Sequence, residues 1–186
     1  MNVFRVLARD ARAGARNPGG PLFFPRPFQG AGRHDNPERY GCLYVAASPT
    51  SAVAEALAPF RGSGTLDDAM LVRSGRRVSL ATLALPDDAE LVNLDQPRVL
   101  VKERLQPSQV ATRHRAVTQA GAARLHDDHP NAAGLRWWST LEASWENLTL
   151  FDRAAPLLDL ADERDLEVSD DAVREAGELL GLFSGR

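Results

Sequence analysis

CLYVAASPTSAVAEALAP, Cys42 to Pro59, is the stretch that decides the fold class. Cys42 to Ala47 is a short apolar run carrying Val and Tyr, which reads as a buried strand. Ser48 follows as an N-cap, its hydroxyl able to accept from a backbone N–H of the first turn. Pro49 sits at the first helical position, where a missing N–H costs nothing. The helix then runs through about Ala58 and stops before Pro59. A strand passing through one capped turn into a helix marks a chain that mixes the two element types.

Working outward, Val3 to Leu7 reads as a first strand, with Arg5 set between Phe4 and Val6. Ala13 to Pro37 is rich in Gly and Pro and carries Phe23, Phe24 and Phe28, the composition of a long loop. Beyond the helix, Arg61 to Arg77 has turn composition and no clean period, so a loop is expected. Val78 to Leu85 alternates as a strand, Pro86-Asp87-Asp88 turns the chain, and Glu90 to Leu94 is a further short strand. Pro97 to Leu105 and Val110 to His126 read as helices; Ala133 to Trp138 and Asn147 to Phe151 read as a last strand pair. In the tail, Val173, Ala176, Leu180 and Phe183 follow helical spacing behind Ser169 as an N-cap. The expectation is an α+β fold, a mixed β-core with packed helices over residues 1–153, followed by an acidic helical tail over 154–186.

A chain of 186 residues with 44% hydrophobic and 25% charged residues has ordinary globular composition, which excludes disordered, collagen-like and coiled-coil classes. No apolar run approaches the roughly 18 to 20 residues of a membrane span, and the N-terminus lacks a signal-peptide core, so a cytoplasmic location with no membrane contact is expected. Cys42 is the single cysteine, which excludes an internal disulfide and a thiolate-built zinc site. The net charge of −3 is uneven: Met1 to Arg33 holds six arginines against one aspartate, and Asp152 to Arg186 holds ten acidic against four basic residues. Lys102 is the only lysine, a bias that a GC-rich genome produces. The N-terminal arginines also suit a local anion site, but they are too few for a nucleic-acid arm, and direct nucleic-acid binding is not expected.

Four passages stand above this background: FRV at Phe4 to Val6, GRHDNP at Gly32 to Pro37, YVAASPTSAVAE at Tyr44 to Glu55, and GLRWWS at Gly134 to Ser139. In order and spacing they resemble the RES-domain family, with Arg5, Arg33, Tyr44, Glu55 and Ser139 in the family's marked positions and Leu148 to Phe151 as its closing strand. The resemblance covers about Asn2 to Arg153. It departs at His34, where the family commonly has Trp, and at Val6, where some members have Tyr. Thr118 and Gln119 resemble a Thr-Gln pair that often precedes the Gly-to-Ser strand.

RES proteins look like relatives of ADP-ribosyltransferases and act on NAD, often as the toxin of a toxin–antitoxin pair. The resemblance therefore implies an NAD glycohydrolase or ADP-ribosyltransferase, with NAD as substrate, no metal, and a cognate antitoxin carrying a DNA-binding domain as partner. Cleaving the nicotinamide–ribose bond builds positive charge on the sugar, which a fixed carboxylate stabilises. Glu55 is the one acidic residue between Glu38 and Asp67, on an otherwise Ala- and Val-rich helix, and the resemblance gives it that role. Arg5 and Arg33 would bind phosphate or ribose oxygens, Tyr44 would stack on nicotinamide or hold it by its hydroxyl, and Ser139 would bond ribose or orient Glu55. Thr118 is a secondary binding candidate.

Each of these residues also has an ordinary explanation. Glu55 can be an exposed helix glutamate, Arg5 a polar-face strand residue, Arg33 a solvated loop arginine, Tyr44 a core tyrosine and Ser139 a turn former. Two other functional classes remain open at this stage. One is a non-catalytic RES-like module held by an antitoxin. The other is a metal-dependent hydrolase around His114, His126 and His129, whose spacing matches no standard zinc pattern.

Overall fold

Strand β1 (Asn2–Ala8) and the strand–helix pair β2 (Cys42–Ala46) and α1 (Pro49–Leu57) form where the sequence puts them. Ser48 caps α1 by accepting the Ser51 N–H at 3.1 Å. The structure is a computed structural model that describes residues 1–184. The further strands are β3 (Gly64–Leu66), β4 (Val72–Arg73), β5 (Arg76–Ala84), β6 (Leu91–Asn93), β7 (Gly134–Trp138), β8 (Glu146–Phe151), β9 (Asp159–Asp165) and β10 (Leu182–Ser184). The further helices are α2 (Pro97–Lys102), α3 (Pro107–Val110), α4 (Arg115–Asp128) and α5 (Asp171–Leu180). This is the expected α+β class. The chain forms two compact units.

The first unit comprises Met1, Phe24–Val45 and Leu85–Leu158. Its strands run in the order β2–β8–β7–β6, with β7 antiparallel to β8 and parallel to β6. Its core gathers Tyr40, Cys42, Val92, Leu94, Leu100, Leu125, Leu135, Trp137 and Phe151, all buried. Prolines open α2 and α3, as they open α1, because the first helical N–H has no partner to lose. The two helices read between Pro97 and His126 are three in the structure. Arg104, at φ 52°, takes the chain out of α2 in a left-handed turn, and Pro107 restarts it.

The second unit comprises Asn2–Phe23, Ala46–Ala84 and the chain from Asp159. Strand β5 is its centre, paired antiparallel with β1, β4 and β9, while Phe4 of β1 also pairs with Ala46. Helix α1 packs against β1 and α5, burying Val53, Ala54 and Leu57 on one helix and Val173, Ala176 and Leu180 on the other.

Three expectations need correction here. Residues 61–77 are not all loop. β3 pairs in parallel with β10, and β4 forms a hairpin with β5 through Ser74 and Gly75, both at positive φ as a two-residue hairpin turn requires. The segment after residue 153 is not simply a helical tail, since it contains β9 along β5. Its acidic residues gave no strand signal because they suit a solvent-facing edge, where charge blocks further pairing. Helix α5 has Asp170 at its N-cap position, one residue after the expected Ser169, and ends at Gly181 with φ 72°.

The β7–β8 pair tolerates no side chain at Gly134. A methyl there would meet the Thr149 carbonyl oxygen at 2.3 Å and the Leu150 Cα at 2.9 Å. Gly134→Ala is expected to lower unfolding stability by about 1–3 kcal/mol, measured as a shift of the urea midpoint; an unchanged midpoint would contradict the close approach.

Candidate functional site

Residues 30–36 are irregular chain with buried polar side chains, and such backbone must find hydrogen-bond partners without a ladder. Asp35 supplies three. Its Oδ2 accepts from the Gly30 N–H at 2.8 Å and the Gly32 N–H at 2.7 Å, and its Oδ1 accepts from the Tyr44 hydroxyl at 2.6 Å. The same Tyr44 oxygen accepts the His34 N–H at 2.9 Å. Gly32 is required at this crossing, since a Cβ would stand 2.5 Å from Asp35 Oδ1 and 2.6 Å from the Tyr44 hydroxyl oxygen.

Helix α4 clamps the same loop from the other end. Gln119 Nε2 donates to the Gly30 carbonyl at 3.0 Å and the Gly32 carbonyl at 2.9 Å, and Thr118 Oγ1 donates to the Arg33 carbonyl. The Thr-Gln pair named from the sequence therefore grips the loop backbone. Arg33 is itself buried: its Nη1 donates to the Val110 and Thr112 carbonyls at 3.0 and 2.7 Å, and its guanidinium lies 4.9 Å from the Trp137 ring centre.

His34 is buried. Its Nδ1 lies 2.8 Å from Thr149 Oγ1, which also accepts from Trp137 Nε1, and its ring meets Trp137 edge-on. Burial, then the charges of Arg33 and Arg115, lower its pKa from 6.5 to about 3. The aromatic that the family commonly carries here is replaced by a neutral imidazole bonded into the core.

Tyr44 is half-buried, and burial first, then Cys42 and Asp35, raise its pKa. A phenol has one proton to give. Tyr44 gives it to Asp35, so for the second of its two expected roles, holding a ligand by the hydroxyl, the proton is already engaged. Ser139 is buried at the end of β7, where its Oγ accepts the Leu141 N–H at 3.0 Å and closes a turn. Helix α4 also walls a cavity of about 840 Å³ with His34, Thr118, Glu103 and His129; Glu103 is buried there and accepts from His129 Nε2 at 3.0 Å.

Arg5 and Glu55 belong to the second unit. Arg5 Nη1 donates to the Pro21 carbonyl at 2.5 Å and the Phe23 carbonyl at 3.2 Å, holding the chain within the long loop. Burial lowers its pKa from 12.5 to about 10, which leaves it charged at neutral pH. Glu55 is exposed, on a helix α1 that buries Ser51, Ala52, Val53, Ala54 and Leu57. The structure thus joins Arg33, Tyr44, Thr118 and Gln119 around one loop, and places Ser139 in a turn of the same unit.

Sequence reasoning missed Asp35, although it lies in the quoted GRHDNP passage. An acidic residue three positions after a glycine was the available signal, because a short carboxylate there can accept backbone N–H groups of its own turn. The histidines have structural partners: His126 stacks on Tyr40 with ring centres 4.4 Å apart, and His114 precedes α4 at its N-cap position.

A family model described as the RES domain matches residues 3–171. In fold, the chain is similar to a chain of the crystal structure of the M. tuberculosis MbcT–MbcA toxin–antitoxin complex. The TM-score is 0.62 at 20% identity, over 89% of this chain and 83% of that one. No curated protein matches. Among the described residues no helix is long and apolar enough to cross a membrane.

The pKa of His34 has a direct consequence. The unfolded chain takes up this proton near pH 6.5 and the folded chain near pH 3, so folded stability falls as the pH drops between these values. Followed by imidazole ¹⁵N shifts, His34 is expected to stay neutral at pH 5; a midpoint near 6.5 would contradict its burial.

Proposed function

The chain belongs to the RES-domain family, and from that premise we propose that it consumes NAD by breaking the nicotinamide–ribose bond, as the toxin of a toxin–antitoxin pair. The family match, running from residue 3 to residue 171, is the observation that carries this reading. The fold shared with a chain of a toxin–antitoxin complex supports the partner half of it. The antitoxin in this reading carries a DNA-binding domain.

The chemistry assigns roles to the residues as follows. The bond between C1′ and the pyridinium nitrogen breaks with its electron pair going to nicotinamide, which leaves as a neutral base. The ribose ring is left with positive charge shared between C1′ and the ring oxygen. Glu55 stabilises that charge and engages ribose hydroxyls; an exposed carboxylate on a rigid, capped helix can meet a ligand without unfolding anything. Arg5 binds the dinucleotide with charge that persists at neutral pH. Arg33 contributes its guanidinium from the loop, and Tyr44 offers its ring face to nicotinamide. Thr118 holds the Arg33 carbonyl, and Ser139 shapes the turn after β7. ADP-ribose is then taken by water, which loses a proton to give the free sugar, or by a nucleophilic group of an acceptor.

Purified protein incubated with NAD is expected to release nicotinamide, and Glu55→Gln to slow release by about 10²-fold or more, followed by chromatography. Free ADP-ribose as co-product identifies the glycohydrolase, and label transferred from NAD to a macromolecule identifies the transferase. Equal release by both proteins would remove Glu55 from the reaction. NAD binding with no release would identify a binding module.

A further inference from the structure

We propose that Asp35 is a positioning residue for NAD, setting the plane of the Tyr44 ring and the path of residues 30–34; this rests on the reading that the chain consumes NAD. One carboxylate joins two independent parts of the same unit. Oδ1 takes the only proton of Tyr44, and Oδ2 takes two backbone N–H groups of the loop that presents Arg33. The Tyr44 oxygen in turn receives the His34 N–H, which closes a ring of hydrogen bonds through Asp35, Tyr44 and the loop backbone.

That ring leaves little tolerance. Rotation about the Cβ–Cγ axis leaves the phenol oxygen in place, but conjugation keeps its O–H and its lone pair in the ring plane, so an acceptor and a donor bonded to that oxygen together favour one plane of the ring. A stacking surface must be held in one plane to bind a flat ring well, since each lost orientation otherwise has to be frozen when the ligand arrives. The requirement for glycine at position 32 follows from the same crossing, where the Asp35 and Tyr44 oxygens fill the space a Cβ would need. Gln119 fixes the two carbonyls of the loop while Asp35 fixes the two N–H groups, so Gly30 and Gly32 are each tied on both sides.

Two substitutions disturb this ring differently. Asp35→Asn keeps size but swaps one acceptor oxygen for an NH₂ group, which can no longer accept from either Tyr44 or the glycine N–H pair. Gly32→Ala leaves Asp35 in place but drives a methyl between Asp35 Oδ1 and the Tyr44 oxygen. Both act on ligand placement, so both should raise KM for NAD.

Nicotinamide release is measured for wild type, Asp35→Asn, Gly32→Ala, Tyr44→Phe and the double variant Asp35→Asn/Tyr44→Phe, with KM and kcat separated and the thermal midpoint recorded. The expected result is a rise in KM of about tenfold for Asp35→Asn and for Gly32→Ala, with kcat changed less. The double variant should be no worse than Asp35→Asn alone, because the two groups act as one unit. A merely structural role would lower the amount of active protein, reducing kcat while leaving KM unchanged. That outcome, or an unaltered KM beside an active wild type, would overturn the inference and leave the NAD reading intact. An inactive wild type would overturn the NAD reading, and the positioning role with it.

Discussion

The hydrogen bonds of the Asp35 side chain to Gly30, Gly32 and Tyr44 carry most of what is distinctive in the first unit. A chain segment from Ala13 to Pro37 with almost no regular structure has to satisfy its backbone by other means, and here side chains do what a sheet ladder would otherwise do. Gln29 shows the same device in another form. Its amide donates to the Cys42 carbonyl at 2.6 Å and accepts the Cys42 N–H at 2.8 Å, as a neighbouring strand would. Arg26 reaches the Pro37 carbonyl, and Asp152 accepts the Gly41 N–H. Each bond is short and directional, so the loop is held without being helical or extended.

This scaffolding bears on the chemistry expected of it. Backbone without a ladder must keep its own polar groups occupied. Arg33 illustrates this: its Nη1 bonds protein carbonyls and its guanidinium sits against the Trp137 ring, so its charge is held in a fixed place. His34 complements it by staying neutral, which avoids a second positive charge in the same buried space.

How much of this was legible in the sequence differs by element. The β2–α1 unit read cleanly because every signal in it is local: an apolar run, a serine cap, a proline at the first helical position. The β7–β8 pair was legible for the same reason, from two apolar runs flanking a polar turn. Strands β3, β9 and β10 were not. β3 and β10 are three residues each and find one another across more than a hundred positions, while β9 is an acidic edge whose pairing is dictated by β5. In the candidate site, the named arginines, Tyr44 and the Thr-Gln pair came from a resemblance, and their orientation came only from the fold. That Tyr44 spends its proton on Asp35, and that Ser139 closes a turn, are facts of three-dimensional contact which no spacing encodes.

In the proposed reading, an aromatic face held by a carboxylate receives the nicotinamide end of NAD. A crystal structure of the protein with a non-cleavable NAD analogue tests this most directly. The nicotinamide-like ring is expected to lie stacked on the face of Tyr44, whose hydroxyl remains on Asp35. An analogue bound with that ring away from Tyr44, or a Tyr44 hydroxyl that leaves Asp35 to bond the ligand, would contradict it.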